Sequence, residues 1–208
     1  MNSLTLDALY QDVRQQPSDV NEHMDTLRAL SRATLVHGQG KVAEFGTRTG
    51  RSTLALLAGR PAQLTTCDVD PVALHATEAM LRPHASAEGV DFETYLGNTV
   101  VMPVISPVDL LFVDTYHTYE QLKRELQRHG KQARFWIALH DTETFGWEGE
   151  DGCTPGLRRA IEEWIIAPGN DDWSVLVDYR NNNGLMVLQR RGFAPTVELP
   201  AAPSCPRD

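Results

Sequence analysis

The stretch Val42-Ala-Glu44-Phe-Gly46-Thr-Arg-Thr-Gly50-Arg-Ser52 opens on a short apolar run and ends at the start of a helical segment, with two glycines in the turn between. A run this short, passing through Gly into a helix, reads as a strand buried on both faces and its crossover helix. Three further runs of the same kind follow: Leu64–Cys67, Leu110–Val113 and Phe135–Leu139. Between and after them lie helical intervals at Ser52–Ala58, Val72–Leu81, Tyr119–His129 and Gly156–Ala167, with a weaker strand at Asp91–Tyr95. This alternation predicts an α/β protein with a Rossmann-like, doubly wound and mostly parallel sheet of seven strands, helices on both faces. Trp173–Tyr179 and Leu185–Arg190, around Asn181-Asn-Asn-Gly184, predict an antiparallel hairpin closing its C-terminal edge.

The ends break the alternation. Asp19-Val-Asn-Glu22 has the spacing of a capping box, so a helix is expected from about Val20 to Thr34. The chain divides into an N-terminal helical segment (1–40) packed on the core, a single α/β domain (41–192) and a Pro-rich tail (193–208). Pro195–Asp208 holds four prolines and few apolar residues, and reads as untethered.

With 208 residues, 41% hydrophobic and 23% charged, the composition is globular, and a core can form without disulfides or a structural metal. The net charge of −9 disfavours nucleic acid and anionic membrane partners. Cys67, Cys153 and Cys205 form no CxxC pair and fit neither a disulfide framework nor a zinc site. Met1–Arg14 alternates polar and apolar residues without a signal-peptide core, and no stretch is apolar for the ~18 residues that a bilayer span needs. A cytoplasmic, reducing location is the expectation.

Ligands of open parallel sheets bind beyond the carboxyl ends of the strands, and those positions carry the chemistry here. The Gly46–Gly50 turn lets a backbone approach a ligand, and the helix start at Ser52 suits an anionic group, although many ligand-free α/β turns look alike. Asp68 stands beyond Glu44 at close to the ~20-residue spacing of a ribose-binding carboxylate. Asp70, followed by Pro71, is assigned the cap of the next helix. Together these turns indicate a nucleoside-bearing ligand. Gly-x-Gly-x-x-Gly is absent, which disfavours a nicotinamide dinucleotide. Asp114-Thr-Tyr-His117-Thr-Tyr119 and His140-Asp141-Thr142 then bring two Asp and two His to one rim, groups used in proton transfer and cation binding.

In these motifs the sequence resembles the class I S-adenosylmethionine-dependent methyltransferases. The branch is that of catechol O-methyltransferase and the cephalosporin hydroxylase and macrolide-sugar O-methyltransferase families. Glu44-x-Gly46-x-x-x-Gly50-x-Ser52, Asp68-x-x-Pro71, Phe112-Val-Asp114-x-x-His117-x-Tyr119, Leu139-His-Asp141-Thr142 and Asn183-Gly184-Leu185 carry the likeness, over roughly Val42 to Arg190. It implies an S-adenosyl-L-methionine site built by Glu44, Gly46, Thr47, Gly50, Ser52, Asp68, Asn98 and Asp114. Ser52 would take the carboxylate, Asp68 the ribose and Asn98 would lie near adenine. It implies Mg²⁺ or another divalent cation on Asp114 and Asp141. Thr142 replaces the Asn that supplies the third ligand in the catechol-type pattern, so His140 or Glu143 is expected to compensate. His117 is the expected general base, with a small-molecule hydroxyl (sugar or phenol) as acceptor and a homodimer as a further expectation. The remaining histidines, His23, His37, His75, His84 and His129, are taken as surface residues, and Cys153 as an incidental thiol. Thr142–Pro155, with Phe145, Trp147 and Glu150, is either an acidic, aromatic wall over the acceptor or a disordered loop. The competing functions are a catalytically silent cofactor-binding scaffold and, less favoured, an NAD-dependent oxidoreductase.

Overall fold

The computed structural model describes residues 4–16 and 21–201. Its seven strands are β1 (Lys41–Phe45), β2 (Gln63–Asp68), β3 (Asp91–Leu96), β4 (Val108–Val113), β5 (Ala133–His140), β6 (Trp173–Tyr179) and β7 (Leu185–Arg190). They form one sheet in the order β3-β2-β1-β4-β5-β7-β6. β1 to β5 pair in parallel, and β7 runs antiparallel to both β5 and β6. The expected sheet and closing hairpin are therefore present. Strand order reverses between β1 and β4, which makes their carboxyl ends the ligand crevice.

The central strands are apolar throughout because both faces are covered. Leu110, Phe112, Trp136 and Ala138 enter one core, while Leu111, Val113, Ile137 and Leu139 enter the other. Successive side chains alternate in direction along a strand, so one unbroken run feeds two layers. The first layer is covered by α1 (Leu6–Gln15), α2 (Asn21–His37), α3 (Arg51–Ala58) and α4 (Pro71–Ala87), and the second by α5 (Tyr119–His129) and α6 (Leu157–Ile165).

Several elements depart from the sequence reading. α1 is additional: Leu6 and Tyr10 are buried, Leu9 and Val13 pack beside them, and Thr5 Oγ1 accepts from the Ala8 amide as N-cap. The i, i+3, i+4, i+7 spacing of those four residues is helical, and it outweighs the local alternation. α4 continues past Leu81 through Pro83 to Ala87, because Leu81 and Ala85 are buried on its core face. The capping box at Asp19 and Val20 lies outside the described residues. The tail is tethered as far as it is described: Val197 and Leu199 pack on the first core, and the Tyr179 hydroxyl donates to the Pro200 carbonyl at 2.6 Å. Residues 202–208, with Cys205, lie outside the description. Among the described residues, no helix is long and apolar enough to cross a membrane.

Candidate functional site

Beyond the tips of β1, β2 and β4 lies a cleft of about 340 Å³, and Gly46, Asp68, Asn98 and Asp114 are among the residues lining it. Arg48, Thr99, Thr115, Tyr116 and Gln121 complete much of the wall, and the sequence reading gave them no role. Glu44, Thr47, Gly50 and Ser52 stand behind the lining and shape the turn. A second cleft, of about 300 Å³, lies on the sheet face over Ala43, Phe45 and Thr65, away from the rim residues.

The turn is held by Asp68. Its Oδ2 accepts from the amides of Thr47 (2.8 Å) and Arg48 (2.9 Å), and its Oδ1 from the Asp70 amide (2.9 Å). Burial raises the Asp68 pKa, but these amide bonds outweigh it and hold the carboxyl below its ordinary value. Arg48 pays for its amide contact with a positive φ of 44°. Asp70 caps α4 as expected, accepting from Val72 at 2.8 Å. Thr47 turns its hydroxyl inward to Thr66 Oγ1 at 2.6 Å. Asn98 Oδ1 accepts from the Val100 amide at 2.9 Å.

Glu44 is fully buried, and Oε2 accepts from the Thr53 hydroxyl at 2.6 Å. Burial pushes its pKa up to about 7, against the hydrogen bonds of Ser52, Thr53 and Thr66. The native state thus binds a proton more tightly than the unfolded chain, so stability falls as pH rises from about 4.5 to 7. Glu44→Gln should erase this slope: thermal melts of variant and parent should agree near pH 5, with the variant gaining ~2–3 kcal/mol at pH 8. Equal pH dependence of the two would contradict this assignment.

The rim cluster starts at Asp114 and Asp141. Asp141 takes a left-handed φ of 59°, which returns its side chain toward Asp114. His117 Nε2 lies 2.8 Å from Asp141 Oδ2 and 3.2 Å from Asp114 Oδ1, and Nδ1 lies 2.9 Å from Glu150 Oε2. Carboxylates only accept, so both His117 nitrogens donate and the ring is an imidazolium. Burial lowers its pKa, but Asp114 and Asp141 outweigh burial and raise it to about 10. In this geometry the expected general base carries a proton on each nitrogen. Burial pushes the pKa values of Asp114 and Asp141 up, and the two histidines outweigh it and hold both carboxyls below the ordinary value.

Phe145 stacks on His117 with ring centroids 5.0 Å apart, and the Glu150 amide donates to the His117 carbonyl at 2.9 Å. The segment after Asp141 is therefore an ordered wall of the site, and Phe145 and Glu150 belong to it. Glu143 is taken by Arg158 and Arg180 at 3.1 and 2.7 Å and does not join the cluster. His140 does: Nδ1 lies 3.0 Å from Asp141 Oδ1 and 3.6 Å from Asp114 Oδ1. Neither contact has hydrogen-bonding geometry, so His140 Nδ1 and Asp141 Oδ1 are buried polar atoms without a hydrogen bond. Asp114, His140 and Asp141 offer ligand atoms within 4.8 Å of one another. One nitrogen and two carboxylate oxygens, among them the two atoms without a hydrogen bond, fit a divalent cation.

Two expected surface histidines are buried. His129 is fully buried and its Nε2 lies 2.7 Å from the Thr99 carbonyl. His23, on α2, is also fully buried, with Nδ1 3.2 Å from His140 Nε2.

Residues 43–142, which span the cleft and the rim cluster, match the family model of a methyltransferase domain. These residues are thus similar to a class I methyltransferase domain. The resemblance to S-adenosylmethionine-dependent O-methyltransferase-like proteins holds, and the domain sits in a fold shared with solved methyltransferases. An O-methyltransferase from Bacillus cereus in complex with S-adenosylhomocysteine superposes with a TM-score of 0.63 at 15% identity, covering 92% of this chain and 93% of that one. TomG from Streptomyces achromogenes, an O-methyltransferase of tomaymycin synthesis in complex with S-adenosylmethionine, gives 0.62 at 16% identity and 92% of each chain. The N-methyltransferase NodS from Bradyrhizobium japonicum gives 0.59 at 14% identity, covering 82% of this chain and 95% of that one. Among curated proteins none matches this chain by sequence. At these identities the structural likeness speaks for the fold alone.

Proposed function

We propose that this methyltransferase moves the methyl group of S-adenosyl-L-methionine to a hydroxyl of a small molecule, a sugar or a phenol, with the help of a divalent cation. One observation carries the reading: Asp114 belongs both to the cleft and to the rim cluster, so a nucleoside in the cleft ends beside two carboxylates and an imidazole. Asp68 is the ribose ligand; its oxygens already fix the turn, and the residue lines the same cleft as Asn98. The sulfonium is an activated donor, so the protein's task is to align acceptor oxygen, methyl carbon and sulfur. A divalent cation on Asp114, His140 and Asp141 would polarise the acceptor hydroxyl and lower its pKa. His117 would first lose its Nε2 proton to solvent, and the freed Nε2 would then take the hydroxyl proton as the acceptor oxygen bonds to the methyl carbon and the carbon–sulfur bond breaks. The acceptor lies beside the cluster, with the Phe145–Glu150 segment backing His117. Two copies of the chain in solution, in the cytoplasm, complete this reading, and the acidic surface leaves nucleic acid and membrane aside.

Titration calorimetry with S-adenosyl-L-methionine and NAD, followed by label transfer from methyl-labelled cofactor to a panel of sugars and phenols, tests the proposal. Cofactor binding without product across the panel would favour a silent scaffold, and NAD binding alone would favour an oxidoreductase. The proton step has its own signature. Because His117 is held protonated to about pH 10, kcat/KM measured without added cation should rise roughly tenfold per pH unit from 7 to 9. His117→Gln should flatten that profile and lower kcat by ~10²–10⁴-fold. A flat profile in the parent enzyme would remove His117 from the proton step.

A further inference from the structure

We infer that His23 is a positioning residue that presents His140 Nδ1 as a nitrogen ligand, so that the rim site selects a divalent transition ion, of the Co²⁺, Ni²⁺ or Zn²⁺ kind, over Mg²⁺. The inference rests on the proposed cation site and goes beyond it by naming the ligand atom, the residue that fixes it and the class of ion.

A chain of contacts runs from Asn181 through His23 to His140. Asn181, in the turn between β6 and β7, places Nδ2 3.5 Å from Glu22 Oε2, so its amide oxygen is the atom 3.4 Å from His23 Nε2. An amide oxygen accepts, so His23 Nε2 donates, and Nδ1 is the nitrogen whose lone pair can accept. That lone pair faces His140 Nε2 at 3.2 Å, with the rings edge to face at 79°, so His140 donates from Nε2. With Nε2 committed to His23, Nδ1 is the nitrogen that His140 turns toward Asp114 and Asp141, without a hydrogen bond, and the one it can offer to an ion. His140 and Asp141 side chains are nine-tenths buried, so bulk water does not take the place of a ligand there. A ring nitrogen oriented by a hydrogen bond on its far side is the usual arrangement of a metal-ligating histidine. Hard Mg²⁺ prefers an all-oxygen shell, whereas imidazole nitrogen favours the later first-row ions.

The test is ion binding, read apart from catalysis. Full-length protein is titrated with Co²⁺, followed by its visible absorption, and with Mg²⁺ by competition against Co²⁺. The parent should bind Co²⁺ at least ~10-fold more tightly than Mg²⁺. His140→Asn should collapse that preference. His23→Phe, which fills the same buried space, should weaken Co²⁺ binding ~10–100-fold and change the absorption spectrum. His23→Gln, whose side-chain oxygen can accept from His140 Nε2, should recover most of the affinity. If His23→Phe does not fold, Asn181→Ala gives the same reading from the far end of the chain of contacts. Equal Co²⁺ and Mg²⁺ affinity, unchanged affinity in the His23 and Asn181 variants, or Co²⁺ binding that survives Asp141→Ala would each overturn the inference. Methyl transfer with a Mg²⁺ preference would sink this inference and leave the proposed function standing. Selective Co²⁺ binding without methyl transfer would do the reverse.

Discussion

Gly46→Ala should cost this protein ~3–5 kcal/mol of stability, a large part of the ~5–15 kcal/mol that a domain of this size possesses. Gly46 sits at the joint between β1 and β4 with φ of 91°, and an added Cβ would lie 1.9 Å from the Asp114 carbonyl oxygen. Two backbones meet there: the Gly46 amide donates to the Cys67 carbonyl at 2.8 Å, and the Asp114 amide to the Phe45 carbonyl at 2.8 Å. A methyl group cannot be accommodated by rotating a side chain, so the strand tips must part. Gly89→Ala provides the comparison, because φ there is 72° but a Cβ would meet nothing within 4 Å. It should cost only the strain of the left-handed backbone, ~1 kcal/mol. Urea unfolding of both variants separates strain from collision. A Gly46→Ala cost no larger than that of Gly89→Ala would show that the joint is looser than the structure describes.

Asp141→Asn should lower kcat/KM for methyl transfer at least ~10³-fold while leaving cofactor affinity within about threefold. Asp141 touches both histidines of the cluster, at 2.8 Å to His117 and 3.0 Å to His140, and does not line the cleft at the tips of β1, β2 and β4. The amide keeps the shape, and Asn tolerates the left-handed backbone that Asp141 adopts, so folding should survive. What is lost is the charge that holds the imidazolium of His117 and faces Asp114. Steady-state kinetics with calorimetric cofactor binding decides the matter: activity within tenfold of the parent would exclude Asp141 from the chemistry, and a parallel loss of cofactor binding would mean that cleft and cluster are one unit.

Much of the architecture could be read locally. Strands buried on both faces are continuous apolar runs, and Asn181–Gly184 supplies residues that accept positive φ where the chain must reverse, as Asn182, Asn183 and Gly184 do. Asp68, Asp114 and Asp141 stood out because a carboxylate straight after a buried strand has few structural reasons to be there. The α1 stripe of Leu6, Leu9, Tyr10 and Val13 was equally legible, but its period is 3.6 and the local polar–apolar alternation hides it. Glu143 and His140 were equivalent candidates by spacing alone. Arg158 and Arg180, which claim Glu143, come from α6 and from the end of β6.

The sequence by itself determined the strand order's raw material, the turn residues and the presence of two acids and two histidines on one rim, because hydrophobic period and backbone preference are properties of neighbouring residues. Tertiary structure alone decided what those groups are bonded to. His23 lies 117 residues from His140, and Glu150 lies 33 from His117. Their meeting depends on how α2 rotates against the sheet and how the loop after Asp141 folds back. Those placements are set by packing summed over the whole core, and no local pattern in the chain encodes them.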